Sequence, residues 1–257
     1  MSTIRVQEEP GVLRLTMSRP DRLNSLTPDV LGELEAVLTL VEAATDIRAV
    51  VIHGSGTAFC VGMDQTFLQE CFADVPGVFV PFCRRYHALL RRMEAAPVVF
   101  VAAVDGLARA GGFELLLACD LVIATTTSKV GDNHIRFGMI PGAGAVPRAV
   151  RKLGDMRARD LLLTGRWLYG QQIAEAGVAL QVVEPTELDD AVTTILDNVR
   201  GLSRACLARM KRLINSCADV SLDEGLDLEL AEFIDYHDSE PTAADGFHAW
   251  TRQRQQA

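Results

Sequence analysis

The residue types that could do chemistry gather in one stretch, Gly106-Leu-Ala-Arg-Ala-Gly-Gly-Phe-Glu-Leu-Leu-Leu-Ala-Cys-Asp120. Phe113, Leu115, Leu116, Leu117 and Ala118 read as a buried helical run, so Gly111 and Gly112 stand where that helix begins. The first N–H groups of a helix have no partner inside it. Glycine lets another molecule approach them closely. Such an end can hold an anion, or a carbonyl oxygen that gains negative charge during a reaction. Glu114 follows Gly111 by three residues, about one turn. Helical side chains lean toward the N-terminus, so its carboxylate should face the volume in front of the Gly111 N–H. A plainer reading also applies. Strand, glycine-rich turn and helix is a common α/β unit, and a glutamate in a first turn suits the helix dipole whatever its function.

The elements that must position these groups can be read on either side. Residues 98–104 form a short apolar run bounded by Pro97 and Gly106, the pattern of a buried strand. A second glycine-rich loop, Gly54-Ser-Gly-Thr-Ala-Phe-Cys-Val-Gly-Met-Asp64, follows another apolar run at 49–53 and should open a short helix near Asp64. If the two strands are parallel neighbours, both loops fall at one sheet edge, where α/β folds bind ligands. The rest of the chain supplies the frame. Residues 4–8 and 12–17 alternate around Pro10-Gly11 and predict a hairpin. Thr27-Pro28 is a helix start, followed by Val30, Leu31, Leu34, Val37, Leu38 and Val41 on one face. Residues 67–93 predict one or two helices, broken near Pro76-Gly77. A strand at 120–124 leads into an irregular polar segment at 129–136 containing His134, then a turn-rich loop from Gly138 to Ala145. Helices at 145–153, 156–163 and 171–176 and a strand at 180–183 follow. From 187 onward the pattern is helical, at 188–200, 203–218, 221–236 and 242–254. The domain reading is an α/β core over 1–185 and a helical region over 186–257.

Composition narrows the function. The chain has 257 residues, 49% of them hydrophobic, and a formal net charge of -9. An acidic surface argues against nucleic acid as a partner. The polar N-terminus carries no signal-peptide core, and no apolar run is long enough to span a bilayer, so a cytoplasmic protein without membrane contact is expected. The six cysteines (Cys60, Cys71, Cys83, Cys119, Cys206, Cys217) show neither C-x-x-C nor paired histidine spacing. They read as free thiols rather than disulfides or metal ligands. Gly142-Ala-Gly144 lacks the context of a dinucleotide site.

Six motifs in order resemble the crotonase, or enoyl-CoA hydratase/isomerase, superfamily over essentially the full length. They are Arg19-Pro-Asp-Arg-Leu-Asn-Ser25, Gly56-Thr-Ala-Phe-Cys-Val-Gly-Met-Asp64, the stretch Gly106 to Asp120, and Phe137-Gly-Met-Ile-Pro-Gly-Ala-Gly144. Leu163-Thr-Gly-Arg with Ala174-Glu-Ala-Gly177, and Ala243-Ala-Asp-Gly-Phe-His-Ala-Trp250, complete the set. The resemblance implies an α/β spiral of ββα units, with a C-terminal helical region that covers the acyl pocket and makes trimer contacts. It implies an acyl-CoA thioester as substrate, coenzyme A entering only as part of it, no metal or other cofactor, and a homotrimer or a dimer of trimers.

The resemblance also carries roles onto particular residues. The backbone N–H groups of Met63 and Gly111 are the expected oxyanion hole for a thioester enolate. Glu114 matches the first of two glutamates that family hydratases use. The second position holds His134 instead, an imidazole able to serve as acid or base near neutral pH. Its alternative is a packing role, and Asp132 is a second candidate beside it. Substrate and CoA binding are expected at Arg22, Leu23, Val61, Gly62, Asp64, Gly112, Pro141 and Gly142; Arg22 could meet a CoA phosphate, and Asp64 should also cap the helix after its loop. The function implied is enoyl-CoA hydration, the addition or removal of water across the α,β double bond. Because the histidine is a departure, two alternatives stay open. One is isomerisation, hydrolysis or C–C cleavage of an unusual acyl group. The other is a non-catalytic acyl-CoA-binding protein.

Overall fold

The structure, a computed structural model, describes residues 2–240 and 244–254. In chain order its elements are β1 (Ile4–Glu9), β2 (Val12–Met17), α1 (Pro28–Ala43), β3 (Ala49–Gly54), β4 (Ala58–Cys60), α2 (Gln65–Ala73), α3 (Val80–Ala95), β5 (Val99–Val104), β6 (Leu107–Arg109) and α4 (Gly111–Ala118). They continue with β7 (Leu121–Thr125), β8 (Lys129–Gly131), α5 (Ala145–Leu153), α6 (Asp155–Thr164), β9 (Leu168–Tyr169), α7 (Gln172–Glu175), β10 (Gln181–Val183), α8 (Leu188–Arg200), α9 (Arg204–Cys217), α10 (Leu222–Ser239) and α11 (Asp245–Arg254). A single π-helical turn, Val75–Phe79, makes the break expected at Pro76-Gly77.

The strands form two sheets. One has the order β1-β2-β3-β5-β7-β10 and the other β4-β6-β8-β9. Among the described residues only the β1–β2 and β8–β9 pairs are antiparallel. The chain alternates between the sheets, giving one strand to each before a helix returns it, which is the ββα spiral the motifs implied. Three short strands, β4, β6 and β9, lie in segments that read as loops in the sequence, and β8 lies in the segment that read as irregular. They have two or three residues each, too few for an alternating pattern to register.

The large sheet is buried on both faces, so its central strands are near-continuous apolar runs. Val50, Ile52, Phe100 and Ala102 point into the main core with the α1 face. Ala49, Val51, Val101 and Ala103 point the other way, against Val192, Leu196 and Val199 of α8. The α1 start is as expected: Thr27 accepts from the Val30 N–H and Pro28 opens the helix. Farther along, α9 is fastened to the core by a buried lysine. Lys211 Nζ donates to Met93 O at 2.8 Å, Val98 O at 2.9 Å and Asp120 Oδ2 at 2.7 Å. A buried ammonium is tolerated when paired and fully hydrogen-bonded in this way. All six cysteines are free. Among the described residues no helix is long and apolar enough to cross a membrane.

Candidate active site

Three adjacent strand ends of the small sheet deliver the candidate groups. β4 lies parallel to β6 with Cys60 opposite Ala108, and β8 lies parallel to the other side of β6 with Gly131 opposite Arg109. Met63 is three residues beyond Cys60, Gly111 three beyond Ala108, and His134 three beyond Gly131. All three line one cavity of about 560 Å³ together with Glu114. Its walls are mainly apolar, with Leu26, Val61, Leu68, Phe82 and Phe137 among them.

The two glycine-rich loops touch directly. A Cβ on Gly62 would lie 2.7 Å from the Gly111 nitrogen, and one on Gly111 would lie 3.0 Å from Gly62 Cα. Leu26 sets the direction of the first loop. Its N–H donates to Gly62 O and its carbonyl accepts from the Asp64 N–H, so the Met63 N–H between them points away from Leu26. Among the described residues neither the Met63 nor the Gly111 amide donates to a protein acceptor outside its own element. The second loop is held by Ala110, which donates to Asp132 O at 3.0 Å and takes φ 48°, ψ -119°. That backbone suits glycine, and a residue with a Cβ adopts it only at a cost. Tyr86 Oη on α3 donates to Gly111 O at 2.6 Å and so holds the peptide that follows the Gly111 amide.

Glu114 is 3% exposed. Its Oε1 accepts from the Ala143 N–H at 2.7 Å and the Ala145 N–H at 3.2 Å. Arg148 holds that loop in turn, donating from Nη1 to Ala143 O at 2.7 Å and from Nη2 to Glu94 Oε2 at 2.8 Å. Burial pushes the Glu114 carboxyl above its ordinary value, although the His134 charge and the two amides oppose the shift. Glu114 is therefore a stronger base than a solvated glutamate.

The His134 ring faces the same cavity, and its Nδ1 lies 2.9 Å from Asp132 Oδ1. Burial alone would pull the imidazole down. The Asp132 hydrogen bond and charge, with the Glu114 charge, outweigh burial and the opposing Arg109, so the net shift is upward. The cavity thus has on its wall a buried carboxyl group and an imidazole whose protonated form is favoured by its neighbours. Cys83 lines it too, but burial, with Glu114 and Cys71 nearby, pushes its thiol up to about 11. It stays protonated at neutral pH and is no thiolate nucleophile.

The other sequence candidates divide. Val61 and Gly142 line the cavity. Gly62 and Gly112 are buried where the loops pack; a Cβ on Gly112 would sit 1.9 Å from Cys60 O. Asp64 lies behind the loop. Its carboxylate caps α2 through the Thr66 N–H and binds Arg19 Nη2 and Ser25 Oγ at 3.0 Å each, so its capping role is the one seen. Arg22, Leu23 and Pro141 are not among the residues lining the cavity, and Arg22 is exposed on a 3-10 turn. Asp132 is buried behind His134 rather than open to the cavity. Sequence reading missed the Ala143 and Ala145 amides and the Tyr86 hydroxyl. Amides carry no residue-type signal, and Tyr86 reads as one apolar position of α3.

Among the described residues none beyond Ala143 lines the cavity, so those of the helical region after 185 do not line the cavity of their own chain. The family model for enoyl-CoA hydratase/isomerase matches residues 7–257. The chain belongs to the enoyl-CoA hydratase/isomerase family. Membership makes it an enzyme of the kind that processes acyl-CoA thioesters. A probable enoyl-CoA hydratase of Mycobacterium bovis is 32% identical over 225 residues, 87% of this chain and 85% of the relative. The 1,2-epoxyphenylacetyl-CoA isomerase of Escherichia coli is 33% identical over 230 residues, 89% of this chain and 88% of the relative. Among solved structures, the Bacillus anthracis enoyl-CoA hydratase superposes with a TM-score of 0.90 at 29% identity, covering 98% of this chain and 96% of that one. These likenesses extend over both sheets and into the helical region, as a family fold should.

Proposed function

We propose that this family member adds water across the double bond of an α,β-unsaturated acyl-CoA, or removes it. The thioester oxygen would accept from the Met63 and Gly111 N–H groups, which stabilise the enolate as charge develops. Glu114 would take a proton from water as its oxygen bonds to Cβ, and His134 would give a proton to Cα. Coenzyme A enters as part of the substrate, and the proposal requires no metal or other cofactor. The observation that carries it is the pair of amides without protein acceptors, in a cavity flanked by a base and an acid.

The products decide it. With a panel of enoyl-CoA thioesters, mass spectrometry should show the gain of one water and no free CoA. A product of unchanged mass but altered chromatographic retention would mean isomerisation, and free CoA or carbon dioxide would mean hydrolysis or C–C cleavage. Binding without turnover of any thioester would mean a binding protein. Each of these outcomes overturns hydration. The pH profile supplies a second check. Turnover needs Glu114 ionised and His134 protonated, and both groups titrate above their ordinary values. The rising limb of kcat/KM should therefore lie above about 4.3 and the falling limb above about 6.5. A falling limb below that value would contradict the assignment of His134 as the acid.

The assembly we propose is a homotrimer or a dimer of trimers. It is supported by the apolar face that α10 leaves open, where Leu222 is 78% exposed and Leu230, Phe233 and Ile234 are also exposed. Light scattering should give three or six times the 28.0 kDa chain mass; a monomer would overturn it.

A further inference from the structure

The hydration reading leaves one buried carboxylate of the site without a task. Asp132 is 2% exposed, and both its oxygens go to His134. Oδ2 accepts from the His134 backbone N–H at 3.2 Å, the local turn any aspartate can make two residues ahead. Oδ1 does more, meeting the ring at Nδ1 at 2.9 Å. A carboxylate has no proton to give, so the ring must donate there. The Asp132 main-chain carbonyl accepts from Ala110, the strained residue just before the Gly111 donor. One buried residue therefore touches both the acid and the loop that carries an oxyanion amide.

We propose that Asp132 is the positioning residue of this reaction, fixing His134 with Nδ1 protonated and Nε2 as the nitrogen that serves the cavity. The inference rests on the hydration reading above. In the protonation step the Nε2–H bond breaks and a C–H bond forms at Cα, taking the enolate electron pair. The ring is left neutral with its proton on Nδ1, and nothing passes to Asp132. The charged groups facing the ring are Asp132 from its own segment, Glu114 from α4 and Arg109 from β6. Arg136, which shares the 3-10 turn His134–Phe137 with the ring, donates instead to Gly165 O, and Arg166 is paired with Asp160 of α6. Asp132 is thus the one hydrogen-bonded anion that can select the tautomer.

Asp132→Asn keeps the size and an oxygen acceptor but removes the charge. In that variant kcat should fall by roughly 10²-fold or more, with KM little changed and the falling limb of the pH profile displaced to lower pH. An unchanged kcat and limb would overturn the proposal. A purely structural role would lower stability without moving the limb. Should the variant fail to fold, ¹⁵N NMR of histidine-labelled unsubstituted protein still decides, with His134→Asn giving the assignment. The ring should keep its Nδ1 proton throughout the titration and lose only that on Nε2. A neutral ring protonated on Nε2 would overturn the proposal. The NMR test needs no substrate, so a protein that hydrates no thioester would defeat the hydration reading while the ring measurement still judges Asp132.

Discussion

Replacing Glu114 by glutamine is expected to lower kcat for hydration by roughly 10²–10⁴-fold while thioester binding stays near that of the unchanged protein. The argument depends on what the substitution keeps. The carboxamide oxygen can still accept from the Ala143 and Ala145 N–H groups that hold Oε1, so the 143–145 loop has no reason to move. The Met63 and Gly111 amides, which would bind the carbonyl, are untouched. What is lost is the base, in a pocket whose burial has already strengthened it. Loss of enoyl absorbance would give the rate, and calorimetry with an unreactive thioester would give the affinity. Full turnover in this variant would remove Glu114 from the chemistry. Lost binding together with lost turnover would make it a structural post for the loop instead.

The second large effect concerns a residue with no side chain. Gly112→Ala would place a methyl 1.9 Å from Cys60 O and 2.6 Å from Cys60 C. Both are backbone atoms of β4, so relief requires the end of β4 and the start of α4 to separate. Overpacking of this kind should cost at least about 3 kcal/mol. In a protein of this size that lowers Tm by roughly 10 °C, if the chain folds at all. Any folded fraction should be catalytically impaired, because separating β4 from α4 separates the Met63 amide from the Gly111 amide. Gly201→Ala is the control. Gly201 has open space around it and φ -84°, and its replacement should leave Tm nearly unchanged. Thermal melts of the two variants test the pair, and equal Tm values would mean that the loop contact is soft.

These two residues show what could be read in the sequence and what could not. Gly111, Gly112 and Glu114 announce themselves because residue type carries the signal, glycine for close approach and a carboxylate one turn on. The apolar face of α1 was legible for a similar reason, since six positions repeat with the helical period. The small sheet was not. β4 and β6 have three residues each, and their pairing depends on partners nearly fifty residues apart. The groups that hold the site residues in place were equally silent. The amides that hold Glu114 belong to alanines, and the Tyr86 hydroxyl lies on a helix that reads as ordinary packing. Asp132 could be seen beside His134 in the sequence, but an interval of two residues does not say whether the side chains meet or diverge. Arg22 and Leu23 were offered by motif alone, and the loop uses Arg19 to hold Asp64.

The pairing of β4 with β6 and of β6 with β8 makes the sheet a ruler for the chemistry. Neighbouring strands lie about 4.8 Å apart, and from the row Cys60–Ala108–Val130 the Met63 and Gly111 positions each lie three residues on, with His134 four residues on. The spacing between the Met63 and Gly111 amides, the proposed oxyanion donors, thus starts from a hydrogen-bonded lattice. Substitution and insertion are consequently unequal ways to change this enzyme. Residues on the cavity wall can be exchanged to admit a different acyl group while the donor spacing stays as it is. β4 already has a register irregularity between Ala58 and Cys60, but adding or removing a single residue within Leu107–Arg109 would shift the Gly111 amide along its strand by about 3.3 Å, more than a hydrogen bond can stretch. On the hydration reading, new specificity can come through side chains, whereas the length of β6 is fixed by the reaction itself.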